Sequence, residues 1–263
     1  MTAGKADPGD DVDDMDDVDD MDDVDDVDDT APSTTVVVFD CFGTIITERR
    51  PMPGPDDFTR AVAEVLALDR RPADEVVKEV FTTLYTALVD KSALQPATRG
   101  LLDTALRNRG VVRPAADLDR ALWRALGCED DERYELCEPA AEAMRRTAEA
   151  GHTVRLLSNC YLPGGLMRRL LTGLEVPQVY DRAHFTADGG PKKPDVRAFE
   201  LITAGPFGRR IMVGDSDDND LTPARRLGWD VVPVDPGRPD FGELSRLLFR
   251  DAPEIRSVQR NTR

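Results

Sequence analysis

Val36-Val37-Val38-Phe39 is an unbroken apolar, β-branched run that stops at Asp40, and a Gly43-Thr44 turn follows closely. This pattern predicts a buried strand over 35–39 that delivers one carboxylate to a tight loop. The pattern then turns helical, roughly from 56 to 126. Pro55-Asp56-Asp57 and Pro72-Ala73-Asp74-Glu75 read as helix starts with acidic first turns. Val62, Val65 and Leu66 recur at helical spacing, as do Val76, Val77, Val80, Phe81, Leu84 and Leu88. Leu101, Leu102 and Leu106, then Leu118, Leu122 and Leu126, continue the stripe, which reads as core.

Alternation of strand and helix returns beyond Cys128. The sequence predicts a helix over 138–150 that stops at Gly151. A strand over 153–157 leads to Ser158-Asn159, a helix spans 163–173, and a loop surrounds Tyr180–Phe185. Gly189-Gly190-Pro191-Lys192-Lys193-Pro194 reads as a turn that opens into a helix over 195–204. A strand over 210–213 leads to Gly214-Asp215, a helix over 220–227 stops at Gly228, and a strand covers 230–234. Strands separated by helices predict an α/β fold, a Rossmann-like parallel sheet with helices on both faces. The helical stretch inserted after the first strand predicts an all-helical cap. The expected organisation is a tail over 1–33, a core over 34–47 and 138–250, a cap over 48–137 and a C-terminal tail over 251–263.

Charge changes the picture at one end only. The chain of 263 residues carries a net charge of −17, but residues 1–30 hold fifteen Asp and one Lys, which accounts for −14. Residues 10–29 repeat Asp-Asp-Val or Asp-Asp-Met; such a block repels itself and buries too little to fold, so a solvated disordered tail is expected. The remainder is mildly acidic and has no basic stripe of the kind that binds nucleic acid. Cys41, Cys128, Cys137 and Cys160 have no metal-ligand spacing and read as reduced thiols. No stretch suits a membrane span, and the N-terminus lacks the basic-then-apolar pattern of a signal peptide, so a cytoplasmic location is expected.

In a parallel sheet the C-terminal strand ends gather on one edge, so Asp40, Ser158-Asn159, Lys193 and Asp215 with Asp220 are expected to converge. Singly, each has a plain structural explanation, as a turn or helix cap or a surface charge. Together and in this order, Val-Phe-Asp40-Cys-Phe-Gly-Thr44, Leu-Leu-Ser158-Asn, Lys193-Pro-Asp-Val-Arg-Ala-Phe and Val-Gly-Asp215-Ser-Asp-Asp-Asn-Asp220 resemble the motifs of the haloacid dehalogenase (HAD) superfamily. The resemblance covers roughly 34–240. The helical insert resembles the subclass that includes phosphoglycolate phosphatase and 2-haloacid dehalogenase.

The resemblance implies that Asp40 is a nucleophile and that Ser158 and Lys193 hold the transferring phosphoryl oxygens. Lys192 is the alternative cation. It implies Mg²⁺ on Asp40, the backbone carbonyl of Phe42 and Asp215, with Asp220 or Asn219 supporting it. Thr44 and Asn159 are expected at the substrate. The family's phosphatases place a general-acid aspartate where this chain has Phe42, a residue that cannot transfer a proton. The family's dehalogenases also carry an aromatic residue there, but work without metal and lack an acid at the Asp215 position. They also have a tyrosine where this chain has Phe199. The resemblance therefore implies a Mg²⁺-dependent hydrolase of a small phosphorylated metabolite, with a metal-free 2-haloacid dehalogenase and a catalytically weak binding or regulatory protein as alternatives. The expected partner is a small molecule, with neither nucleic acid nor membrane. His152 and His184 fall outside the motifs, and Arg49, Arg50, Arg60 and Lys91 read chiefly as solvated side chains.

Overall fold

The computed structural model describes residues 34–249; the Asp-rich segment and the C-terminal tail lie outside them. Five strands form one parallel sheet: β1 (Thr35–Phe39), β4 (Thr153–Ser158), β5 (Tyr180–Phe185), β6 (Arg209–Gly214) and β7 (Asp230–Pro233), in the order β5-β4-β1-β6-β7. β1 sits in the centre, with Val36–Phe39 registered against Thr153–Leu156 on one side and Thr35–Phe39 against Arg209–Val213 on the other. Its side chains feed two cores. Val37 and Phe39 join Val154, Leu156, Ile211 and Val213 on one face. Val36 and Val38 join Leu157 and Met212 on the opposite face. A strand buried on both faces reads as a continuous apolar run, which is why β1 is so visible in the sequence.

Helices cover both faces. α5 (Glu138–Glu149) and α6 (Gly164–Gly173) supply Met144, Met167 and Leu171 to the larger core. α7 (Val196–Ile202) and α8 (Thr222–Arg226) supply Ala198, Phe199, Ile202 and Ala224 to the other. α9 (Gly242–Phe249) packs on α5.

Two short antiparallel strands, β2 (Ile46–Glu48) and β3 (Tyr134–Leu136), flank a block of four helices: α1 (Pro55–Leu66), α2 (Arg70–Val89), α3 (Thr98–Arg107) and α4 (Ala115–Ala125). α1 starts at Pro55, with Asp57 accepting from the Gly54 N–H, and ends at Ala67 in the left-handed region. Phe58 and Phe81 pack edge to face inside the block, their centroids 4.6 Å apart. No helix among the described residues is long and apolar enough to cross a membrane.

Several elements depart from the sequence expectations. Tyr180–Phe185, expected as a loop, is edge strand β5; Asp181 and Arg182 face solvent, so it has no apolar run to announce it. The expected helix over 220–227 opens with a π-turn at Asp217–Leu221 before α8. β2, β3 and α9 are additional, and three-residue strands are too short to show a period.

Arg155 fastens the β5 edge. Buried on β4, it makes a two-pronged bond to Asp181 at 2.9 and 3.0 Å. It also donates to the carbonyls of Ile202 and Ala204 and lies over the Phe207 ring. Arg155→Met strands those carbonyls and is expected to cost about 2 kcal/mol in urea unfolding, with Arg155→Lys recovering only part of it because an ammonium cannot form the fork.

Candidate active site

The strand order sets the site. β1, β4 and β6 are neighbours, so their C-terminal ends place Asp40, Ser158 and Asp215 along one sheet edge. The Asp40 N–H donates to Val213 O at 2.9 Å, which carries the ladder one residue past β1. The chain then folds back on itself, the Cys41 carbonyl accepting from the amides of Thr44, Ile45 and Ile46. Gly43 makes this turn possible at φ +82°, and a Cβ there would meet Asp215 Oδ2 at 2.2 Å. Gly214 is equally constrained, since a Cβ would lie 2.6 Å from Asp220 Cγ.

Lys193 is the centre of the charge arrangement. Its ammonium is buried, 2.5 Å from Asp40 Oδ1 and 2.6 Å from Asp220 Oδ1. The second contact is a close charge pair off the hydrogen-bond line. Asp220 is held in turn by the Ser216 N–H, which donates to its Oδ2 at 3.1 Å. Burial works against a charged Lys193, but Asp40 and Asp220 outweigh it and raise its pKa. Burial pushes Asp40 up to about 7, with Asp220 and Asp215 adding to the rise and Lys193 opposing it. Asp215 is raised by burial and then by Asp220.

Oxygen atoms of Asp40, Asp215 and Asp220 lie within 4.8 Å of one another, the only such acidic group among the described residues. Three carboxylates face one ammonium. An oxygen-only donor set with surplus negative charge suits a hard divalent cation. Beside it, Thr44 Oγ1 and Ser158 Oγ are buried and have no hydrogen-bond partner among the described residues.

The other sequence candidates are placed differently. Asn159, expected at the substrate, spends its amide on the Lys193 main chain: Nδ2 donates to Lys193 O at 2.8 Å and Oδ1 accepts from Lys193 N at 3.0 Å. It positions the lysine. Lys192 is turned away, donating to the carbonyls of Asp90 and Ala93 in the linker between α2 and α3. Asn219 gives its main-chain N–H to Ser216 Oγ. His184 Nε2 lies 2.7 Å from Pro191 O and braces the same loop. Phe42 is half-buried in the apolar core, its ring 5.9 Å from that of Tyr134.

The linker after α2 was silent in the sequence. Gln95 and Gly190 exchange two main-chain hydrogen bonds, and Arg197 donates to Ser92 O. The helical block is thereby strapped to the loop that carries Lys193. The one available signal was the pair of turn-rich segments, Gln95-Pro96 and Gly189–Pro194.

The chain is similar to HAD-type hydrolases. A HAD phosphatase from Thermococcus onnurineus is 16% identical over 76% of this chain and 86% of its own, with a TM-score of 0.45. A haloacid dehalogenase-like family hydrolase from Xanthomonas campestris is 16% identical over 82% and 92%, with a TM-score of 0.45. The L-2-haloacid dehalogenase from Xanthobacter autotrophicus is 19% identical over 83% of each chain, with a TM-score of 0.41. No protein-family model and no curated protein matches the chain.

The raised pKa of Asp40 has a sign. A carboxyl whose folded pKa exceeds its unfolded value adds stability below about pH 4, and that contribution is lost as pH rises through about 7. In EDTA the melting temperature is expected to fall between about pH 5 and about pH 8, and Asp40→Asn should flatten the decline. An unchanged slope in the variant would place the titration elsewhere.

Proposed function

We propose that the chain is a HAD-like hydrolase that removes the phosphoryl group of a small phosphorylated metabolite with the help of Mg²⁺. The observation that carries this reading is the set of Asp40, Asp215 and Asp220 within 4.8 Å around the single Lys193 ammonium. Such a cluster is crowded on its own and balanced by a divalent cation. Asp40, the Phe42 carbonyl and Asp215 would hold Mg²⁺, with Asp220 and Asn219 supporting them. When bound, Mg²⁺ would neutralise charge on the carboxylates and on the phosphoryl oxygens.

The residues then divide the work. Lys193 occupies Asp40 Oδ1, which leaves Oδ2 to attack phosphorus in line. The bond from phosphorus to the leaving oxygen breaks as the aspartyl phosphate forms, and water later attacks phosphorus of that mixed anhydride, breaking its bond to the Asp40 oxygen and returning the Asp40 carboxylate and phosphate. Lys193 and the unpartnered Ser158 hydroxyl would bind the phosphoryl oxygens, with Thr44 beside them. The α1–α4 block would be the cap, over 48–137, and would select the substrate.

Phe42 shapes the substrate class. An apolar ring cannot protonate a departing alkoxide, so leaving groups that depart as stable anions, such as those of acyl phosphates, are favoured. The same ring supports a second reading, metal-free cleavage of a 2-haloacid, because halide leaves without a proton.

EDTA separates the two readings. Hydrolysis of an aryl phosphate is expected to vanish in EDTA and return with Mg²⁺, and Asp40→Asn should lower it at least about 1,000-fold. Metal-independent halide release from a 2-haloacid would establish the second reading, and failure on both substrate panels would leave a binding protein. Phe42→Asp is expected to raise turnover of an alkyl phosphate by about 10-fold or more, and that of an acyl phosphate far less. Equal responses would show that Phe42 does not stand in the place of the acid.

A further inference from the structure

A cavity of about 30 Å³ lies among the four helices of the block. Every helix contributes to its wall: Phe58 from α1, Phe81 from α2, Leu102 from α3 and Leu122 from α4. Phe58 and Phe81 meet edge to face there and form an aromatic corner. None of the lining residues carries a charge, and the surface facing the cavity is wholly apolar. A water needs roughly 10–15 Å³ of such space and about two to four polar partners. The space is present and the partners are not, so the cavity suits hydrocarbon. It has room for roughly the last two or three carbon atoms of a chain. Left empty, its wall forfeits dispersion contacts that a hydrocarbon end would restore.

One part of the wall comes from the sheet side. Tyr161, half-buried in the loop between β4 and α6, is the only lining residue outside 58–126 among the described residues. Ser158 precedes it by three residues, which puts their Cα atoms at most ~11 Å apart. The segment between them is fixed. The Cys160 N–H donates to Thr186 Oγ1 at 3.0 Å, and Thr186 Oγ1 donates to Cys160 O at 3.2 Å. Asn159 is bonded twice to the Lys193 main chain. Tyr161 is thereby tied to Ser158 and Lys193, and the cavity lies within reach of a metabolite bound to them.

We infer that this cavity receives the hydrocarbon end of the substrate, and that Tyr161 is the wall between it and the phosphoryl site. The substrate is then the phosphate of a short, unsubstituted carboxylic acid of roughly four carbon atoms. A phosphorylated sugar or dicarboxylic acid is disfavoured, because its hydroxyls or its second charge would lie unpaired against apolar surface.

This inference rests on the phosphoryl chemistry proposed at Asp40 and narrows it. Attack by Asp40 breaks the bond from phosphorus to the acyl oxygen, and the electron pair leaves on the carboxylate. That anion departs without a proton, so the apolar ring of Phe42 costs the reaction little.

Propylphosphonate and pentylphosphonate copy acetyl and butyryl phosphate in length and cannot be hydrolysed. Each is titrated into the full-length protein in Mg²⁺, with the leucine methyls labelled with ¹³C. Pentylphosphonate is expected to bind at least about tenfold more tightly, at about fourfold for each added methylene. Its terminal methyl should show cross-relaxation with the methyls of Leu102 and Leu122. Turnover should follow, with kcat/KM for butyryl phosphate at least about tenfold above that for acetyl phosphate. Ala125→Leu, which fills the cavity from its wall, should bring both ratios toward one. The wild-type ratio and methyl contacts decide the matter even if that variant does not fold. Equal affinities, or a terminal methyl that contacts other residues, overturn the inference, and turnover of both acyl phosphates at equal rates would then leave the hydrolase reading intact. If neither phosphonate binds and neither acyl phosphate is turned over, both readings fall together.

Discussion

Lys193 Nζ sits between Asp40 and Asp220 at 2.5 and 2.6 Å, and the rest of the site is arranged around that shared ammonium. Removing either carboxylate would leave a buried cation half-compensated, and removing the lysine would leave acids facing each other. Main-chain order upstream supports the triplet: Asn159 grips Lys193 on both sides of its peptide, Ser216 holds Asp220, and Val213 holds Asp40. The charges are fixed by neutral hydrogen bonds from two strand ends, those of β4 and β6. An arrangement of this kind is preorganised, so little of it must reorganise when charge develops on a bound group.

The two glycines beside it show how tight the packing is. Gly43 and Gly214 each abut an aspartate at a distance no Cβ tolerates. Asp215 and Asp220 therefore pack directly against main chain that only glycine can supply.

The parts of this design visible in the sequence are those that end interior strands. β1, β4 and β6 are buried on both faces, so their apolar runs stop abruptly where Asp40, Ser158 and Asp215 begin. The edge strand β5 hid because solvent takes one side of it. Asp220 was expected at the site, but its pairing with Lys193 was not visible because a π-turn, which follows no helical period, brings the two together. Of the adjacent lysines only the Lys193-Pro194 register singled one out, and Asn159 read as a substrate contact because its two bonds to Lys193 are tertiary.

Lys192 and Lys193 are consecutive, yet one fastens the α2–α3 linker and the other fastens Asp40. The peptide bond between them makes a mechanical couple. Whatever fixes the α2–α3 linker through Lys192, Gly190 and Arg197 therefore also fixes the loop that aims the central ammonium.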